Sequence, residues 1–130
     1  MASSITDIPG SSNYFRGGIV SYTNDSKSAY GVDRDLIRRH GAVSSQVAQA
    51  MAQGVRQVLG ADIGVGITGV AGPDPLEGIE PGTVYMAVAW KNGARSASNR
   101  FLPNRPLVKR RAVTQTLLQV YTLLQELPKE

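Results

Sequence analysis

Between Ser44 and Thr68 the chain changes its hydrophobic period once, and that change limits what it can fold into. Val47, Met51, Val55, Val58 and Leu59 recur at helical spacing with alanines between them, and Gly60 follows as a C-terminal stop. This predicts a helix over 45–59. Residues 63–68, directly beyond it, are apolar, contain glycine and are too few for another helix, so they read as a strand in a sheet that the helix covers. Residues 83–90 form a second apolar strand, and Asn92-Gly93 is a turn signal joining it to 94–101 as an antiparallel hairpin at the sheet's edge. Asn104 can cap a last helix, with Pro106 tolerated in its first turn and Pro128 ending it. Leu107, Val113, Leu117, Leu118, Tyr121 and Leu124 are its expected apolar face. The expectation is an α/β fold, a mixed sheet with flanking helices.

The N-terminal third is more broken. Residues 3–8 read as the tail of a helix stopped by Pro9 and Gly10. Gly-Ile-Val-Ser-Tyr-Thr at 18–23 is β-branched and aromatic, and reads as a strand. Asn24 and Asp25 offer caps to a short helix through Tyr30, and Asp33 to another through Arg39. A chain of 130 residues buries one core, so a single domain over 1–130 and a single site are expected. No run of about 18 apolar residues and no basic-then-apolar leader is present, and a cytoplasmic location is the expectation.

With no cysteine and His40 as the only histidine, thiol catalysis, a triad built on a second histidine and Cys/His zinc sites are excluded. Hydrolytic chemistry would have to come from Ser, Thr, Tyr, Lys, Arg or carboxylates. The net charge of +4 suits anionic partners. The only basic run, Lys109-Arg110-Arg111, spreads around a helix and has no interleaved aromatics, so nucleic acid is not an expected partner. Asp74, Glu77 and Glu80 share no metal-ligand spacing, and no metal or organic cofactor is expected.

Gly64, Gly66 and Gly69 spell G-x-G-x-x-G, but a dinucleotide site needs that pattern at a strand-to-helix turn. Here the glycines lie inside a strand, and Gly72-Pro73-Asp74-Pro75 prevents a helix from starting. The Walker pattern is absent. Thr68-Gly69-Val70-Ala71-Gly72-Pro73 opens the only long loop, 71–82. Its glycines suit an anion-binding nest of N–H groups and, equally, a tight turn.

Ser12 follows Gly10-Ser11 at the head of a helical turn. Such a serine is ordinarily a cap, yet its hydroxyl stands where N–H dipoles favour a developing oxyanion. Lys27 lies beyond the 18–23 strand in the first turn of the next helix, where the helix dipole disfavours its charge, as a general base requires; a solvated surface lysine is the plain alternative. Tyr22 and Asn24 at the same strand end can orient an amide or simply pack and cap. Arg105 can clamp a phosphate or stay exposed, and His40 reads as a helix-end residue.

Ile8-Pro9-Gly10-Ser11-Ser12-x-x-Phe15-x-x-Gly18, Val20-Ser21-Tyr22-x-Asn24-x-x-Lys27, His40-Gly41-Ala42-Val43-Ser44, Thr68 to Pro73 and Pro81-Gly82-Thr83-Val84 resemble, in order, successive blocks of the C-terminal domain of the competence/damage-inducible protein A (CinA) family. The resemblance implies a serine amidohydrolase that converts nicotinamide mononucleotide to nicotinic acid mononucleotide and ammonia. It implies Ser12 as nucleophile, Lys27 as base and Arg105 as auxiliary arginine. Tyr22, Asn24, Thr68, Gly69 and Gly72 would line the pocket for this small-molecule substrate. The alternative is a catalytically inactive nucleotide-binding or interaction module on the same scaffold. Family members usually begin with a helix, a strand and an Ala-Glu-Ser-x-Thr-Gly-Gly segment, which would lie just upstream of Met1. Without them the sheet keeps an open edge, so a homo-oligomer is expected, or else a start placed too late.

Overall fold

The computed structural model describes residues 1–128. Its elements are α1 (Ala2–Thr6), a 3₁₀ turn (Ser11–Asn13), α2 (Asn24–Ala29), α3 (Arg34–His40), α4 (Ser45–Val58), β1 (Gly64–Gly69), β2 (Thr83–Trp90), β3 (Gly93–Arg100) and α5 (Arg105–Glu126). The strands lie in the order β1-β2-β3, every pair antiparallel, from Gly64 opposite Ala89 to Gly69 opposite Val84, and from Thr83 opposite Arg100 to Trp90 opposite Gly93.

Alternation along β2 divides the core between two faces. Ala87 and Ala89 pack with Ala48 and Ala52 of α4, whereas Val84 and Met86 pack with Val108 and Ala112 of α5. The sheet is thus the middle of three layers. Ser44 caps α4 through its hydroxyl, which accepts from the Val47 N–H at 3.3 Å, and Asn104 caps α5 through Leu107 N–H at 3.1 Å. The strand glycines let α4 approach: a Cβ on Gly64 would stand 2.2 Å from the Ala52 carbonyl oxygen, and one on Gly66 2.2 Å from that of Ala48. Close helix–sheet packing, not a nucleotide, accounts for the G-x-G spacing.

Four expectations need correction. The three strands that form are antiparallel throughout, and no strand forms at 18–23. Those residues lack a pairing partner, and Val20 and Tyr22 are 89% and 83% exposed. Their β propensity is a preference for packing on a sheet, and no neighbour supplies one. Between them and β1 lies an apolar slot of about 1040 Å³, closed by Met51 and Val55 of α4 and Leu117, Val120 and Leu124 of α5. The hairpin turn is Lys91-Asn92, and Gly93 already pairs with Trp90. The cap of α2 is Thr23, in a reciprocal capping box with Ser26, so Lys27 falls in the helix's last turn rather than its first. In α5 the buried residues are Val108, Ala112, Thr116 and Leu123, while Leu118, Tyr121 and Leu124 are exposed. The helix carries apolar residues around most of its circumference, so periodicity alone could not select the face that meets β2.

Candidate functional site

Lys27 is the one buried charged residue among the described residues, 7% exposed. The short helix α2 turns it inward, where its Nζ donates to the Ser21 carbonyl at 2.9 Å. Burial pushes its pKa below the ordinary lysine value, and the charge of Glu77 works against that shift. Lys27 and Tyr22 both line the apolar slot, as do Asn13, Tyr14 and Phe15. Ser12 sits in the 3₁₀ turn immediately before Asn13 and is exposed, whereas its neighbour Ser11 is buried. Among the described residues no hydrogen bond joins Ser12 to Lys27. Asn24 is exposed as the first residue of α2.

A second group gathers where β1 ends. Thr68 is buried and donates its hydroxyl to the Ala42 carbonyl at 2.8 Å, tying the sheet to the turn before α4. Gly69 lies so close to β2 that a Cβ would meet the Thr83 carbonyl oxygen at 2.8 Å. The long loop is drawn shut at its base, since Val70 N–H donates to Thr83 O at 2.9 Å and Gly82 N–H to Val70 O at 2.7 Å. Gly72 takes φ +93°, a conformation that suits glycine, and its carbonyl accepts from Arg105 Nε at 3.2 Å. Arg105 therefore supports the loop from the start of α5. His40 ends α3, as expected of a helix-end residue. Among the described residues no group of three or more His, Cys, Asp or Glu could hold a metal ion.

Sequence reasoning passed over Glu77 as a site residue. Leu76 and Ile79 exchange both backbone hydrogen bonds, at 3.1 and 2.8 Å, around a Glu77-Gly78 turn in which both central residues have positive φ. Glu77, at φ +53°, is the one non-glycine described residue with positive φ, and its Oε2 accepts from the Ala42 N–H at 3.0 Å. A glutamate followed by glycine between two aliphatic residues was the available signal, although such turns favour Asn or Asp.

The structure is a small three-layer α/β domain with a buried lysine beside an apolar slot and a clamped glycine- and proline-containing loop at a strand end. Residues 1–124 match the family described as the CinA C-terminal domain. A CinA-like protein of Frankia casuarinae is 46% identical over 129 residues, 98% of this chain and 30% of that protein. A putative competence-damage inducible protein of Moorella thermoacetica is 40% identical over 126 residues, 95% of this chain and 30% of that one. Among solved structures, a competence-damaged protein (CinA) superfamily protein from Escherichia coli superimposes with a TM-score of 0.89 at 31% identity, covering 94% of this chain and 72% of that one. The competence/damage inducible protein from Agrobacterium tumefaciens gives 0.88 at 32%, covering 94% and 76%. The chain belongs to the CinA C-terminal domain family, and it spans about 30% of the length of these curated relatives. Among the described residues no helix is long and apolar enough to cross a membrane.

Proposed function

We propose that the domain deamidates nicotinamide mononucleotide. The observation that carries this reading is the buried Lys27 amine, whose desolvation favours the neutral form a general base needs. In the proposed reaction Ser12 Oγ attacks the amide carbon and passes its proton to Lys27 Nζ. The C–N bond then breaks, the proton goes to the departing nitrogen as ammonia leaves, and water hydrolyses the acyl-serine to nicotinic acid mononucleotide. Thr68, Gly69 and Gly72 with Tyr22 and Asn24 would contact the nucleotide, and Arg105 would act through the loop it supports. Ammonia release from the purified domain tests this. Ser12→Ala and Lys27→Ala should each abolish it with an unchanged circular dichroism spectrum, and full activity in both variants removes the mechanism.

A second reading, a module that binds the nucleotide without turning it over, is favoured by the exposed Ser12 and by the Lys27 amine's hydrogen bond to Ser21 instead. Calorimetric binding of nicotinamide mononucleotide with no ammonia released would select it. We also propose that the domain self-associates, since β1 stands at one edge of the sheet beside an apolar slot. Sedimentation equilibrium should show a dimer or larger species, and a monomer across the concentration range overturns this.

A further inference from the structure

The apolar slot beside β1 has unpaired backbone on both of its long walls. On one side is β1, an edge strand whose only partner is β2, so every other residue turns its N–H and C=O away from the sheet. On the other are residues 17–22, and among the described residues no backbone–backbone hydrogen bond involves any of them. Side chains close the remaining two sides, Met51 and Val55 from α4 and Leu117 and Val120 from α5. Backbone polar groups beside an apolar space are costly unless they are paired. The two edges of the sheet also differ in kind. β3 carries Arg95, Ser96, Ser98, Asn99 and Arg100, the polar and charged residues with which an exposed edge resists further pairing. β1 reads Gly-Val-Gly-Ile-Thr-Gly, without a charge, and the slot lies beyond it.

We infer that the slot is the seat of one more β-strand, an extended polypeptide run supplied from outside these 130 residues that pairs with β1 on one side and with residues 17–22 on the other. Either wall is matched by about six residues at about 3.3 Å each. Because apolar helix faces lie above and below, the run is apolar on both of its faces instead of alternating. A small molecule could fill about 1040 Å³, but it could not present N–H and C=O groups at strand spacing to both walls at once. A second copy has no free run of this kind among its described residues, since β1, β2 and β3 already share a sheet and residues 17–22 form the wall. Solved relatives do carry surplus length: this chain covers 72% of the Escherichia coli structure and 76% of that from Agrobacterium tumefaciens. Seating the strand would turn β1 from an edge into an interior strand and give Val20 and Tyr22, now 89% and 83% exposed, the neighbour they lack. Ser21, whose carbonyl holds the Lys27 amine at 2.9 Å, lies on the same wall, so the seated strand would also fix the segment that holds the amine.

The probe is a synthetic peptide with six consecutive Val, Ile and Ala residues between terminal lysines, added to the purified domain and followed by calorimetry and by amide hydrogen exchange. It should bind, raise the melting temperature and slow exchange on both walls, in β1 and in residues 18–22. The same peptide with proline at its centre lacks one N–H and cannot lie flat in a ladder, and one with lysine at alternate positions has a charged face; each should bind about tenfold more weakly or worse. Val120→Lys should weaken the apolar peptide similarly, its fold checked by circular dichroism. The inference is overturned by no binding, by equal binding of the proline peptide, or by protection confined to one wall. Protection of both walls that rises with domain concentration, and that added peptide does not change, would assign the slot to a second copy and overturn it as well.

Discussion

Replacing Gly66 by alanine tests whether the G-x-G spacing of β1 serves packing. The new Cβ would stand 2.2 Å from the Ala48 carbonyl oxygen, 2.9 Å from the Ala52 nitrogen and 3.0 Å from the Met51 Cβ. Two of the three are backbone atoms of α4, so no side chain can swing aside. To restore ordinary contact the helix must lift by about 1 Å, a separation at which dispersion contacts lose much of their strength. Lifting pulls Ala48 and Ala52, both fully buried, away from Ala87 and Ala89. Overpacking of this kind costs about 3 kcal/mol. Alanine offsets part of that, about 0.5–1 kcal/mol, by restricting the unfolded chain. A net loss of about 2 kcal/mol, with an unfolding entropy of about 2.1 cal/mol/K per residue, lowers the melting temperature by about 7 °C. Differential scanning calorimetry reads this, with Gly18→Ala as the control, since a Cβ at Gly18 meets nothing within 4 Å. If Gly66→Ala melts with the wild type, the packing account of these glycines is wrong.

Further outcomes follow from single contacts. Thr68→Val should cost about 1–3 kcal/mol in urea unfolding, because the buried Ala42 carbonyl loses the donor it has at 2.8 Å. Thr23→Ala removes the capping box of α2 and should cost about 1 kcal/mol by the same measurement. Lys27→Met should be more stable than wild type at neutral pH. The folded-state pKa of Lys27 lies below its ordinary value of 10.5, so burying the charge penalises the fold at every pH below the folded pKa, and the penalty fades as pH rises toward 10.5. Thermal scans should therefore show the advantage of Lys27→Met shrinking as pH climbs, and an advantage that grows with pH refutes the sign.

Local signals carried most of the scaffold. Ser44 and Asn104 read as caps because their side chains satisfy N–H groups three residues on, a relation that needs no knowledge of the rest of the chain. The strands 63–68 and 83–90 were legible for the same reason, to within one residue. What failed depended on distant partners. The residues at 18–23 have strand chemistry, but a strand is a pairing between segments, and their partner cannot be read from them. The buried face of α5 was decided by which of its apolar residues β2 happens to meet. Around the long loop, Arg105, expected as a clamp for a phosphate or carboxylate, instead donates to the Gly72 carbonyl, and Thr68 donates to Ala42, contacts set by the fold and invisible in the local sequence. Lys27 reads from its own neighbours as a solvated surface lysine and becomes a base only through the family resemblance; the structure buries it and so lowers its pKa, an effect no dipeptide reveals. Nothing around Glu77 in the sequence signals its hydrogen bond to a backbone amide 35 residues away.

Lys27 is where the demands of folding and of chemistry separate. A lysine needed only for solubility extends to water, and one needed only for packing is better replaced by an apolar residue of similar length. Lys27 does neither: its ammonium is withdrawn from solvent, and its hydrogen bond goes to the carbonyl of a segment that belongs to no strand. This burial costs stability and contributes little to holding the fold, since the Ser21 carbonyl could equally face water. Such a cost persists in a protein when the strained group has work to do elsewhere. The short helix that carries Lys27 is itself fixed by the reciprocal capping box of Thr23 and Ser26. A titration of Lys27 reads the state of that amine directly, and so discriminates better than any measure of overall stability.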